Sequence, residues 1–220
     1  MNRGMRLGCD IGGTFTDFVL LDETTGCYRV HKRLTTPEDP SQAIIDGIAA
    51  LGEEDSIASI VHGTTLVINA ILEKKGAKTA LMATQGFADV LELRREVRYD
   101  IYDIQARYPL PLVPRNLRFE LDERMRADGA PLLVPAREKV SALLDQIVAQ
   151  GCQALAVAFL HAYANPAHER MVADMARKRY PDLHVSLSSD VLCEIKEYER
   201  TSTTVINAYV QPLVAPYLDR

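Results

Sequence analysis

Apolar and polar positions at the opening of the chain alternate in three short runs. Leu7-Gly8-Cys9-Asp10-Ile11 reads as a buried strand and Phe15 to Leu21 as a second, while Tyr28 to Leu34 keeps the period of two of a half-buried third. Gly12-Gly13 and the polar run from Asp22 to Gly26 supply the turns, so an antiparallel three-stranded meander is predicted. Asp39 before Pro40 has the form of a helix N-cap followed by proline at the first helical position. Ala43, Ile44, Gly47, Ile48 and Leu51 then recur at helical spacing.

Further along, a strand over Ile57 to Val61, a helix over Leu66 to Lys75 and a strand over Lys78 to Ala83 give the rhythm of an α/β fold. Between Leu91 and Arg126 the pattern changes to arginine, tyrosine and proline, which predicts an insertion or long functional loop over 92–126. A strand is expected from Phe119 to Met125, a turn at Asp128-Gly129, and a helix from Pro135 to Gln150 on Val140, Leu143, Leu144, Ile147 and Val148. The continuous apolar run Ala154 to Leu160 reads as a buried strand. Asn165-Pro166 caps a helix to about Arg179, His184 to Leu187 forms a last strand, and a helix from Tyr198 is expected to stop at Pro212.

Composition narrows the class without naming an activity. The 220 residues are 47% hydrophobic and 25% charged, enough for a sizeable core without disulfide staples. Lys plus Arg number 25 against 30 Asp plus Glu, a net charge of -5 with no basic run, which argues against nucleic acid as the main partner. No apolar stretch reaches the roughly 20 residues of a membrane span, and no signal segment precedes the first strand, so a cytoplasmic protein with reduced thiols is expected. The four cysteines have no CxxC spacing, and the apolar neighbours of Cys152 and Cys193 suggest buried thiols without a catalytic role.

Chemistry concentrates in three places. Asp10-Ile11-Gly12-Gly13-Thr14-Phe15-Thr16-Asp17 sits at a tight turn between two strands. Paired glycines let backbone N–H groups approach phosphate oxygens, Thr14 and Thr16 add hydroxyls, and Asp10 can hold magnesium through water. A plain glycine hairpin would also place Gly-Gly there. His62-Gly63-Thr64-Thr65, with Asn69, ends a strand and opens a helix, a position suited to a substrate or phosphate. Thr64 as a simple cap and His62 as a bonded structural ring are the alternative. The third stretch runs from Thr84 through Arg94 and Arg95 to Arg98 and Asp103. Arg95 and Arg98 are candidates for clamping an acidic substrate, or else for ion pairs with Glu92, Glu96 and Asp100. His161 and His168 form no zinc motif and are read as structural.

In order along the chain, Asp10-Ile-Gly-Gly-Thr-Phe-Thr-Asp17, His62-Gly-Thr-Thr65 with Asn69, Gly86-Phe-Ala-Asp-Val-Leu91, and Tyr198-Glu-Arg-Thr-Ser-Thr-Thr204 with Asn207-Ala-Tyr209 resemble the hydantoinase A/5-oxoprolinase family. Pro111-Leu-Val-Pro-Arg115, Asp122-Glu-Arg124 and Asn165-Pro-Ala-His-Glu169 add to the likeness, which spans nearly the whole chain. The resemblance implies an actin-like ATPase (ribonuclease H-like) N-terminal lobe, a mixed sheet that starts with the antiparallel meander and is flanked by helices. It implies ATP and Mg as cofactors and ATP-dependent opening of a five-membered cyclic amide by phosphorylation of its carbonyl oxygen. Asp10 and His62 would be catalytic, with Asp10 also the metal ligand. Gly12, Gly13, Thr14, Thr16 and Asp17 would hold phosphate, and Gly63, Thr64, Thr65 and Asn69 the substrate, to which Arg95 and Arg98 are added on their own charge chemistry.

Leu93-Arg94-Arg95 departs from the Gly-Arg associated with many members. Residues 1–200 are expected to form the N-terminal lobe and 201–220 the truncated start of the next domain. The chain is therefore expected to be a fragment or one lobe of a split enzyme, completed by a second lobe in cis or by a hydantoinase B-like partner subunit, in an oligomer. A carboxylase subunit of the acetone or acetophenone type, a small-molecule kinase and a non-catalytic assembly lobe remain the alternatives.

Overall fold

The computed structural model describes residues 4–36, 39–52, 54–97, 100–105 and 108–218. It divides into two units, one comprising Met1–Lys75 with Leu213–Arg220 and the other Gly76–Pro212.

In the first unit β1 (Met5–Ile11), β2 (Phe15–Asp22) and β3 (Tyr28–Leu34) form the antiparallel meander, α1 (Pro40–Leu51) follows, and β4 (Ile57–Thr64) returns parallel to β1. The sheet order is β3-β2-β1-β4, and α2 (Leu66–Leu72) leaves the end of β4. Leu7, Cys9, Phe18 and Leu20 are buried on one face, against Ile44, Ile48 and Leu51 of α1. Burying Phe18 alone contributes about 2–3 kcal/mol. Gly47 makes this packing possible, because a Cβ there would lie 2.1 Å from Phe18 Cζ. Asp39 caps α1 as expected, accepting from Ser41 N at 3.2 Å. The third strand was expected to be half-buried, yet Tyr28, Val30 and Leu34 are 69%, 64% and 65% exposed. They sit on an edge strand, on the face turned away from Phe18.

The second unit contains β5 (Thr79–Thr84), α3 (Val90–Leu93), β6 (Arg118–Leu121), the hairpin β7 (Arg124–Met125) and β8 (Pro131–Leu133), α4 (Arg137–Ala149), β9 (Ala154–Ala158), α5 (Ala167–Arg179), β10 (His184–Leu187), α6 (Ser188–Val191) and α7 (Glu197–Leu218) as far as Pro212, the last residues of α7 belonging to the first unit. A fully parallel sheet runs in the order β10-β9-β5-β6. Every residue of β5 and β9 is buried, which explains their unbroken apolar runs. Val140, Leu144 and Ile147 of α4, Val172 and Ala176 of α5, and Val205 and Ala208 of α7 complete this core.

Three expectations change. The strand predicted from Phe119 to Met125 is two strands broken at Asp122-Glu123, because Glu123 turns into the interior. The helix from Tyr198 continues through Pro212 to Leu218. A proline removes one backbone hydrogen bond, but the final turns gain other contacts, Leu213 lining a cavity and Tyr217 bonding to His62. Cys193 is exposed, whereas Cys152 is buried as expected, and all four cysteines are free. Among the described residues no helix is long and apolar enough to cross a membrane.

Candidate functional site

The glycine turn is closed by Gly12 N–H donating to Phe15 O at 2.9 Å. Thr35 buttresses it, its N–H donating to Thr14 O at 2.9 Å and its Oγ1 to Gly12 O at 2.9 Å. Parallel pairing of β1 with β4 sets Ile11 beside Thr64, so the second motif arrives at the same end of the sheet. Thr65 donates from its N–H (3.1 Å) and its Oγ1 (3.3 Å) to Ile11 O, and Asn69 Nδ2 donates to Thr65 Oγ1 at 3.3 Å. Thr64 Oγ1 accepts from Leu66 N at 3.1 Å. A cavity of about 290 Å³ has Gly12, Gly13, Thr35, Thr64, Thr65, Asn69 and Lys75 in its lining. A Cβ on Gly13 would sit 3.4 Å from Asn69 Nδ2. The absent side chain is what leaves the backbone open to a ligand there.

The other predicted residues are distributed around this cradle. Asp10 and Asp17 face each other across β1 and β2, on the opposite face from buried Cys9 and Ile11. Asp17 pairs with Lys32 at 2.9 Å, and Asp10 Oδ1 would lie 3.2 Å from a Cβ on Gly63. Thr14 is exposed at the turn, whereas Thr16 is fully buried with its hydroxyl 3.0 Å from Thr35 Oγ1. His62 is held at both ring nitrogens, by Cys9 Sγ 3.3 Å from Nδ1 and by the Tyr217 hydroxyl at Nε2. A neutral ring accepting at Nε2 and donating from Nδ1 satisfies both partners. Burial pushes His62 below the ordinary histidine range against an opposing pull from Asp10, while burial raises Cys9 and Tyr217. Thr35, Lys75 and Tyr217 were not legible as site residues, since each is joined to the motifs only by tertiary contact.

In the second unit the carboxyl end of the parallel sheet opens onto a cavity of about 650 Å³ whose lining includes Phe87, Val90, Leu93, Arg95, Lys196 and Glu199. Arg95 lies there as an ion pair with Glu199, not with the nearer acids in sequence. Arg98 lies outside the described residues. Beneath this end of the sheet, residues from six separate stretches of the chain converge in two buried hydrogen-bond sets, which meet at the neighbours His168 and Glu169. Glu123 accepts from the Thr84 hydroxyl and lies 2.7 Å from His168 Nδ1. Glu169 accepts from Phe159 N (2.9 Å), Ser188 Oγ (2.6 Å) and Ser189 N (2.9 Å), and Arg200 Nη1 donates to Ser188 Oγ at 3.0 Å. Burial pushes the Glu169 carboxyl up while these donors pull it down, and burial lowers Arg200 against the attraction of Glu169.

Residues 6–180 match the family model described as the hydantoinase/oxoprolinase N-terminal region. The chain is 39% identical over 226 residues to the caprolactamase subunit alpha of Pseudomonas jessenii, covering 98% of this chain and 32% of that one. It is 31% identical over 265 residues to the 5-oxoprolinase of Saccharomyces cerevisiae, covering 100% of this chain and 20% of that one. The crystal structure of the ATP-dependent caprolactamase from Pseudomonas jessenii superposes with a TM-score of 0.87 at 36% identity, over 98% of this chain and 33% of the other. A nucleotide-free acetone carboxylase gives 0.87 at 27% identity, over 99% and 34%. The chain thus spans about a third or less of the length of these relatives. The mixed α/β lobe opening on an antiparallel meander is the expected fold.

Proposed function

Because the chain belongs to the hydantoinase/oxoprolinase N-terminal family, we propose that it is the phosphate-binding lobe of an ATP-dependent enzyme that opens cyclic amides. The observation that carries this is the convergence of Gly12, Gly13, Thr64, Thr65 and Asn69 on one cavity in the first unit. Gly12 N–H and both Thr65 donors are committed to Phe15 O and Ile11 O, while the Thr64 hydroxyl and the second Asn69 Nδ2 hydrogen remain to donate beside the bare Gly13 backbone, donors of the kind a phosphate needs. ATP would supply a phosphoryl group that makes a resistant amide carbonyl a better electrophile, a transfer that demands mainly positioning and charge neutralisation.

In this reading the Gly12-Gly13 backbone, with Thr14, cradles phosphate, and Thr64, Thr65 and Asn69 orient the reacting oxygens. Thr16 acts through Thr35 to stiffen the turn. Asp10, with Asp17 beside it, suits a hard cation through water. Among the described residues no cluster of three or more His, Cys, Asp or Glu side chains is placed to hold a metal; magnesium, when bound, would supply charge neutralisation on the transferring phosphate. His62, bonded at both nitrogens, positions the end of β4. A second lobe, in cis or on a hydantoinase B-like partner, would complete the enzyme, which we place in the cytoplasm.

Calorimetric titration of Mg-ATP into the 220-residue chain tests the proposal. Binding at least tenfold weaker in Asp10→Ala and Gly13→Val supports it. No binding, or binding indifferent to both substitutions, overturns it. The equal TM-score to acetone carboxylase favours one second reading, a carboxylase-type phosphorylation. Mass spectrometry of the assembled enzyme's product separates the two, because a ring-opened acid and a carboxylated ketone differ in mass.

A further inference from the structure

The parallel sheet of the second unit reverses its strand order at β5. The chain leaves β5 for its neighbour β6 on one side and leaves β9 for β10 on the other, and ligands of such sheets bind at that switch point, outside the carboxyl ends of the strands. Phe87 follows β5 and His161 follows β9 at this end. Beyond β6, Glu123 and Met125 are each 2% exposed, so Arg124 and Arg126 fall on the outward face of the chain. Glu123 is held inside by Thr84 and His168, which fixes that alternation. A cavity of about 590 Å³ has Arg124, Arg126, Asp128, Leu132 and His161 in its lining.

The donors around this cavity are short of partners. The half-buried Arg124 guanidinium stacks on the Phe87 ring, 5.1 Å from its centroid, and among the described residues it makes no ion pair or hydrogen bond. Stacking engages the face of the guanidinium plane and leaves its N–H edge for oxygen acceptors. Arg126 has Asp128 3.8 Å away with both side chains exposed, a pairing worth little. The acids on either side of β6 are committed elsewhere, Asp122 to Lys139 and Glu120 to Gly86 N and Ala88 N. His161 Nδ1 lies 3.3 Å from the Tyr163 hydroxyl, while Nε2 has no partner among the described residues. With the hydroxyl donating to Nδ1, the neutral ring carries its proton on Nε2 as a donor. His161 also holds left-handed backbone at φ 55°, a strain that clusters at ligand sites.

We infer that this cavity is an anion site for a tetrahedral oxyanion, inorganic phosphate or the phosphate of a small monoester. Arg124 presents parallel N–H groups to two of its oxygens, and Arg126 and His161 Nε2, on separate segments, supply donors for a third. A carboxylate offers two oxygens in one plane and leaves a donor unmatched. The site is built wholly from the second unit and uses none of the residues of the Gly12-Gly13 cradle, so the inference goes beyond the function proposed above and stands without it.

The test is an NMR titration of the ¹⁵N-labelled 220-residue chain, in phosphate-free buffer, with sodium phosphate, phenyl phosphate and sodium acetate. The expected result is that both phosphates shift the amide signals of Arg124, Arg126 and His161, with a Kd about tenfold or more below that of acetate. Arg124→Ala raises the phosphate Kd read at His161 about tenfold or more, as loss of hydrogen bonds to a charged partner requires. Arg126→Ala, at an exposed position where folding is not at stake, raises it about threefold or more. Arg124→Lys keeps the charge without the planar fork and recovers only part of the loss. Reading the Kd at His161 keeps this site apart from any phosphate bound at Gly13 and Thr64, whose signals report the other cavity. A lower Kd for phenyl phosphate than for phosphate identifies an esterified ligand whose organic part packs on Leu132, and equal values identify free phosphate. Absence of shifts at Arg124, Arg126 and His161, acetate binding as tightly as phosphate, or indifference of the Kd to both alanine substitutions overturns the inference.

Discussion

Replacing Glu169 with alanine removes the acceptor on which the interior of the second unit converges. Two of its oxygens hold Phe159 N–H at 2.9 Å, Ser188 Oγ at 2.6 Å and Ser189 N–H at 2.9 Å. Phe159 and Ser188 are 1% and 0% exposed, so water cannot take over without the end of the sheet opening. Each stranded buried donor costs about 1–3 kcal/mol. Ser188 can rotate its hydroxyl elsewhere, so the two backbone donors dominate, and with Ser189 only part-buried the sum is about 2–5 kcal/mol. Arg200, 1% exposed, also loses the opposing charge across Ser188. A loss of this size is a large share of a total stability of about 5–15 kcal/mol.

Glu169→Gln keeps one acceptor oxygen and should lose about half as much. With two units present, native-state hydrogen exchange at the Phe159 and Ser189 amides is the appropriate assay, because it reads the local opening free energy directly. The expected order of protection is wild type, Gln, Ala. An alanine variant within about 1 kcal/mol of wild type at both amides would refute the assignment of Glu169 as the hub of this network.

The first unit should weaken on acidification. Burial holds His62 below its unfolded pKa of about 6.5, so between the two values the unfolded chain binds more protons and stability falls as pH drops. Thermal melts at pH 7.5 and 5.5 should show a larger drop in Tm for wild type than for His62→Gln, and equal drops would count against it. Gly47→Ala should destabilise by about 1–3 kcal/mol through overpacking on Phe18, although alanine is the better helix former by about 1 kcal/mol; urea denaturation gives the sign. At Arg94, with φ 57° and ψ -130°, glycine should be more stable than alanine by about 1 kcal/mol or more, reversing the usual order, and paired denaturation curves of Arg94→Gly and Arg94→Ala decide it.

Much of the fold was legible because it rests on local signals. The meander, the Asp39 cap of α1 and the buried runs of β5 and β9 are fixed by periodicity, turn residues and capping chemistry acting over a few positions. The glycine turn and the His62 to Asn69 segment were legible as chemistry for the same reason: their residue types are unusual together. The short helices α3 and α6 were not legible, since four residues carry no period. Nor was the continuation of α7, where contacts of Leu213 and Tyr217 outweigh the break that proline favours.

What the sequence determined by itself was therefore the inventory: which strands and longer helices form, which turn offers bare backbone, and which family pattern the motifs follow. Only the tertiary structure decided how that inventory is wired. It set Thr35 under the turn, closed His62 between Cys9 and Tyr217, and paired Arg95 with Glu199 rather than with its neighbours. It also buried Glu123 with His168, and Glu169 with Arg200 across Ser188. The physical reason is that strand pairing and burial act between residues far apart in the chain. Polar side chains withdrawn from water must then find partners wherever the packed core brings them, and no local spacing encodes that choice.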